Sequence, residues 1–147
     1  MDPQFLRFIA VVESAHRSFM ALLKLELENN KIREINNVQA MLLFNLGDAQ
    51  MTVGELILRG CYLGSNVSYN VKKLIDTGYL LQERSIYDGR VAHVRLSEKG
   101  LSVRDQLSSI LERHAVMLQK AWESGDSLQQ IIPQLRRLEQ FWIQLSR

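Results

Sequence analysis

The hydrophobic positions of the chain fall into segments of different period. From Asp2 to about Glu28 nothing breaks a helix, and Asp2 followed by Pro3 is an N-cap with proline at the first helical position. Phe5, Phe8, Ile9, Val12, Phe19, Leu22, Leu23 and Leu27 nearly ring this element in places, which predicts cover from another chain or another long helix. Asn36 with Gln39 is a capping-box variant opening a second helix, with Val38, Met41, Leu42 and Leu46 as its buried stripe and Gly47 as its stop. Thr52 with Glu55 opens a third, with Val53, Leu56 and Ile57 inward and Arg59-Gly60 closing it. A fourth runs from about Ser65 to Asp76, with Val67, Val71, Leu74 and Ile75 inward and Gly78 as its stop.

The period then changes to two. Tyr79 to Arg84 and Val91 to Leu96 read as strands, the second with Ala92, Val94 and Leu96 on one face and His93 and Arg95 on the other. Asp88-Gly89 between them signals a hairpin turn. Ser97 caps a fifth helix reaching about Trp122, and Gly125-Asp126 breaks it. Ser127 with Gln130 caps the last helix, whose stripe is Leu128, Ile131, Leu135, Leu138, Trp142 and Leu145; Pro133 inside that stripe predicts a kink or a late start. The expected fold is mainly α with a small β-hairpin wing, a winged helix-turn-helix. The chain reads as one unit over 1–147, with the winged-helix lobe at 36–97 and long helices at 2–30 and 98–146 that suit a dimer interface.

Composition narrows the class. A chain of 147 residues, 46% of them hydrophobic, can bury a core without staples. Cys61 is the single cysteine, which forbids an intrachain disulfide and agrees with a reducing cytoplasm. No basic-then-apolar leader opens the sequence and no apolar run approaches the ~20 residues of a membrane span, so a cytoplasmic protein without a membrane partner is expected. The net charge of +2 says little about partners. Its distribution says more: from Arg59 to Arg95 the cations Arg59, Lys72, Lys73, Arg84, Arg90 and Arg95 face only Asp76, Glu83 and Asp88 as anions.

In a helix-turn-helix followed by a hairpin, the second helix of the pair enters the major groove. With the apolar residues of the fourth helix turned inward, its outer face carries Ser65, Asn66, Ser68, Tyr69, Lys72 and Lys73, and no carboxylate interrupts them. Hydroxyl and amide groups address base edges, and the lysines reach phosphates. Alone, such a face equally suits a solvated amphipathic helix; the hairpin that follows tips the reading toward double-stranded DNA. Arg84, Asp88 and Arg90 are the candidates within the hairpin.

The stretch Gly78 to Gly100 resembles the wing of the multiple-antibiotic-resistance regulator (MarR) family. Gly78-Tyr79-Leu80 matches the start of the first strand, Asp88-Gly89-Arg90 the Asp-x-Arg tip, and Leu96-Ser97-Glu98-Lys99-Gly100 the Leu-Thr-x-x-Gly end. Ser65-Asn66-Val67-Ser68 through Leu74 is similar to the recognition helix. Gln82 and Gly89 stand where basic residues are frequent in the family. The resemblance implies a homodimeric transcriptional regulator on a pseudo-palindromic operator. It implies that Arg90 enters the minor groove, that Asp88 orients it by an ion pair, and that the first, fifth and sixth helices form the dimer interface. It also implies a small-molecule effector, often an aromatic or phenolic acid, between lobe and dimer helices. Phe19, Met20, Met41 and Phe44 lie on the helices that would line its pocket, but they suit the core equally, which leaves the ligand residues unassigned.

Other chemistry is not signalled. His16, His93 and His114 have no metal-ligand spacing, and there is no G-x-S-x-G element, phosphate loop or carboxylate pair in context, so no metal, cofactor or enzyme activity is expected. Trp122, Phe141 and Trp142 sit on helical stripes and read as packing. Two other readings stand beside DNA binding. A protein-interaction module would carry an apolar or acidic recognition face, which is lacking. A thiol sensor would act through Cys61, where Arg59 is the one cation within three residues.

Overall fold

The computed structural model describes residues 2–60, 64–122 and 127–147. Two compact units are formed, Met1–Ile110 and Leu111–Arg147. The first contains α1 (Pro3–Asn29), α2 (Asn37–Leu46), β1 (Met51–Thr52), α3 (Val53–Gly60), α4 (Gly64–Asp76), β2 (Leu80–Arg84), β3 (Ala92–Leu96) and the N-terminal part of α5 (Glu98–Ala121). This is the expected winged helix, with one strand more than the sequence suggested.

Local chemistry sets the boundaries. The Asp2 carboxylate accepts from the Gln4 amide at 2.9 Å and starts α1. At α2 both arms of the capping box form: Asn36 Oδ1 accepts from the Gln39 amide at 2.8 Å, and Gln39 Oε1 accepts from the Asn36 amide at 3.1 Å. α4 ends in a Schellman arrangement, in which the Tyr79 amide donates to the Leu74 carbonyl at 2.8 Å and the Gly78 amide to that of Ile75 at 3.0 Å. Gly78 occupies the left-handed position with φ 84°, where any Cβ would be strained. Cys61 and the rest of the link between α3 and α4 lie outside the described residues, as does the Gly125-Asp126 breaker.

The additional strand has a physical origin at Thr52. Its hydroxyl accepts from the Glu55 amide at 3.1 Å and its own amide donates to the Glu55 carboxylate at 3.2 Å, so the capping box exists as expected. The same residue and buried Met51 pair with β3, Met51 opposite Val94 and Thr52 opposite His93. A box at a helix start leaves the preceding backbone extended, and that backbone becomes an edge strand. The antiparallel sheet has the order β1-β3-β2, and β2 meets β3 from Leu80 opposite Leu96 to Arg84 opposite Ala92.

The core lies between α2, α3, α4, the sheet and α5. Leu42, Leu43, Leu46, Leu56, Val67, Leu74, Val94, Leu107 and Ile110 are its most enclosed side chains. α2 is central to it, burying Ala40 and Leu43 besides Leu42 and Leu46. Phe19, Met20, Met41 and Phe44 pack half-buried against this core. At Gly100 the α5 backbone passes so close to the Tyr79 carbonyl that a Cβ would overlap the oxygen. Along α1 only Leu23 and Leu27 are buried, while Phe5, Leu6, Phe8 and Val11 stay exposed.

The second unit holds the C-terminal part of α5 and α6 (Leu128–Leu145). The Ser127 hydroxyl caps α6 from the Gln129 amide, at 3.1 Å, rather than through a box with Gln130. The helix begins ahead of Pro133, so the late start does not occur; the proline simply leaves the Gln129 carbonyl without an N–H donor within the helix. No residue of α6 is buried. Among the described residues no helix is long and apolar enough to cross a membrane.

Candidate DNA-binding surface

α4 divides cleanly into two faces. Val67, Val71 and Leu74 are buried, whereas Asn66, Ser68, Tyr69, Lys72 and Lys73 are exposed. Ser65 falls in the first turn of α4, and its side chain lies outside what is described. The exposed set is contiguous along the helix, and Asp76 lies beyond it at the C-terminal end. Tyr69 is 66% exposed although its ring is large and flat, so the core makes no use of it.

Asn70 was not among the expected inward residues, yet it is buried, and its Oδ1 accepts from Gln39 Nε2 at 3.1 Å. The signal was present in the spacing: Asn70 follows Val67 by three and precedes Leu74 by four, which puts it on the same face. Gln39 thus uses its oxygen to cap α2 and its amide to hold α4. The neighbouring Asn37 donates from Nδ2 to the Met20 carbonyl at 2.9 Å, tying α2 to α1.

The wing forms as expected, with strands that end and resume within a residue of the predicted bounds. The strands stop at Arg84 and resume at Ala92, so Asp88-Gly89 sits inside the loop between them. Within it the Val91 amide donates to the Asp88 carbonyl at 3.0 Å and the Ser85 amide to the Val91 carbonyl at 2.8 Å. Ser85 Oγ accepts from the amides of Tyr87 and Asp88 at 3.2 and 3.3 Å. Arg84 Nη1 donates to the Gly89 carbonyl at 2.6 Å and so braces the tip from its own strand. Asp88 Oδ1 accepts from both the amide and Nε of Arg90, at 3.1 and 3.2 Å, while the Arg90 side chain is 92% exposed. On the sheet, Arg95 pairs with Glu83 at 2.9 Å. The Asp88 contact biases the direction of the Arg90 side chain while leaving its guanidinium open to solvent.

The base of the wing is fastened by a polar cluster that sequence reading did not find. Glu34 Oε2 accepts from the Tyr79 hydroxyl and from Lys99 Nζ, each at 2.6 Å, and the Lys99 ammonium lies 4.3 Å from the Tyr79 ring centre. Lys99 also donates to the Thr77 carbonyl at 3.1 Å, and the Ser97 hydroxyl donates to that of Gly78 at 2.5 Å. The Lys99 and Tyr79 donors hold the Glu34 carboxyl below its ordinary range. Burial, then the bond to Glu34, pushes the Tyr79 phenol up; Lys99 is pushed up by the bond to Glu34. Nothing in the spacing of residues 34, 79 and 99 foretells this meeting, because the contacts are tertiary.

Comparison with known proteins agrees with this geometry. A winged helix DNA-binding domain model matches residues 35–100. The exopolysaccharide II synthesis transcriptional activator ExpG of Rhizobium meliloti (strain 1021) is 40% identical over 136 residues, covering 90% of this chain and 68% of that protein. Streptococcus pneumoniae FabT, solved in complex with DNA, matches with a TM-score of 0.69 and 20% identity over 97% of each chain. Staphylococcus aureus MarR, solved with salicylate and kanamycin, matches with a TM-score of 0.75 and 19% identity over 96% of this chain and 93% of that one.

Proposed function

The chain belongs to the MarR family of winged-helix DNA-binding transcriptional regulators, and from that premise we propose that it acts as a homodimer on a pseudo-palindromic operator. In this reading α4 enters the major groove, and the wing, with Arg90 set by Asp88, meets the minor groove. The observation that carries it is the face of α4: Asn66, Ser68, Tyr69, Lys72 and Lys73 stand exposed on a helix whose opposite side is locked into the core. Ser65 extends that face by its position in the first turn. Asn66, Ser68 and Tyr69 address base edges; Lys72 and Lys73 address phosphates. Arg84 contributes by bracing the tip.

Dimerisation is supported by the apolar residues left in water on α1 and α6, among them Phe5, Phe8, Leu135 and Phe141. Family and fold support regulation rather than catalysis, and the DNA-binding domain supports a place in the cytoplasm, where a bacterial chromosome lies. Similarity to an activator supports activation as the direction of control. The salicylate-bound relative supports a small effector here too. A cavity of about 540 Å³ lined by Leu27, Ile32 and Ile35, with Lys24 and Arg33 as cations and Glu28 as an anion, is a candidate place for it.

Selection of bound fragments from genomic DNA, followed by footprinting, tests the reading. The expected result is a protected pseudo-palindrome with half-sites about one helical turn apart. A monomer by light scattering at micromolar concentration, or protection of a single unpaired half-site, would overturn it.

A further inference from the structure

The geometry points to an apolar component in DNA recognition: Ile86 and Tyr87 at the wing tip seat against the deoxyribose walls of the minor groove, so the width of the groove there helps select the operator. The inference rests on the reading of the wing as a minor-groove element and adds a contact chemistry to it.

Ile86 is 96% exposed and Tyr87 98% exposed, the two most exposed large hydrophobic side chains of the described residues. Neither contributes to the core, so folding gives no reason for adjacent large apolar groups at this place. Their backbone is nevertheless fixed. Ser85 Oγ holds the amides of Tyr87 and Asp88, and the Val91 amide closes the turn onto the Asp88 carbonyl. A backbone held in this way has less conformational freedom to lose on contact with a partner.

Charge is not the only contact chemistry at this tip. Asp88 offsets the charge of Arg90, and Gln82 and Gly89 carry none. An apolar partner surface would add to what Arg84 and Arg90 contribute. The minor groove provides one: its walls are the C–H faces of sugars, about 6 Å apart in ordinary duplex. That gap admits the edge of an aromatic ring or a branched aliphatic side chain, and its width varies with sequence, being narrow in A-tracts. Tyr87 and Arg90 belong to the same short loop about Asp88, so a loop carried to the groove brings both residues to it.

Titration of three proteins against the operator selected by the wild type tests this, over a salt series and with the operator flanks changed from A·T to G·C. The proteins are the wild type, an Ile86→Ser/Tyr87→Ser double variant and Arg90→Ala. The double variant should lose about tenfold or more in affinity with the salt slope unchanged, and should cease to discriminate the flanks. Arg90→Ala should flatten the slope by about one unit. If Arg90→Ala loses affinity while the double variant binds and discriminates like the wild type, the apolar contact is refuted and the wing reading survives. If neither variant alters binding, the wing is not in the groove and the underlying reading fails with it. A double variant that binds DNA normally but no longer supports transcription by purified polymerase would assign the tip to a protein and overturn the inference. Unchanged melting curves for both variants establish that the fold is intact, as the exposure of all three side chains predicts.

Discussion

The winged helix and the final helix treat their hydrophobic residues in opposite ways. In the first, α2, α3, α4 and α5 enclose Leu43, Leu56, Leu74 and Leu107 almost completely. In the second, α6 carries Leu128, Ile131, Leu135 and Leu145 in the same helical rhythm and buries none of its residues. Amphipathic pattern alone does not distinguish the two cases, because both stripes look the same in sequence. What distinguishes them is whether the chain itself supplies the opposing surface. The lobe is finished by its own fold. The stripe of α6 waits for cover, and a second copy of the chain supplies it in the proposed dimer.

The contrast can be broken most severely at Gly100. Gly100→Ala drives a methyl group into the Tyr79 carbonyl, and since backbone rather than a side-chain tip must yield, a loss of about 3 kcal/mol or more is expected. Urea unfolding of the variant measures it; a loss under about 1 kcal/mol would show that α5 can shift away freely. Next comes the opposite end of the comparison. Leu135→Glu with Phe141→Glu leaves the lobe core untouched but should raise the dimer dissociation constant by about 100-fold or more, read by sedimentation equilibrium. The circular dichroism of the lobe should persist. A dimer of unchanged strength would remove α6 from the interface.

The smallest effect concerns the cluster of Glu34, Tyr79 and Lys99. Glu34→Gln should lower the melting midpoint at neutral pH by no more than about 2–3 °C, because the ion pair is exposed. Its pH dependence is more telling. The Glu34 carboxyl is depressed, so its contribution is present above the ordinary carboxylate range and fades as pH falls through and below it. Tyr79 and Lys99 are raised, so theirs holds below their ordinary alkaline ranges and is lost as pH climbs past them. Melting curves across both limbs should be flatter for Glu34→Gln than for the wild type; parallel curves would show that the cluster does not couple to folding.

Much of this fold was legible because short-range chemistry marks it. Asp2, Asn36, Thr52 and Ser127 cap the helices that follow them, and Gly78 takes the backbone angle that ends α4. The outward side of α4 followed from its inward stripe. Three features were not legible. β1 is too short to show a period, and its partner lies far along the chain. The wing loop spans the gap between the expected strands, but its bracing by side-chain bonds from Arg84 and Ser85 to the backbone is recorded by no turn motif. Residues 34, 79 and 99 meet only after the lobe has closed. Burial of Asn70 belongs to a different kind of miss. The period placed it inside, and its polarity argued it out.

That asparagine also bears on how faithfully a sequence is read. Packing of Val67, Val71 and Leu74 already resists rotation of α4, but apolar contacts are not directional and leave small rotations less strictly fixed than a hydrogen bond does. Successive residues of a helix lie 100° apart, so even a partial roll would exchange the side chains offered to the bases. The bond from Gln39 to Asn70 is directional and enclosed, and a roll of α4 would strand both groups without water. It therefore acts as an indexing pin: the rotational phase of α4, and with it the reading frame of the protein on its operator, is set by a pair on the face turned away from the proposed DNA contacts.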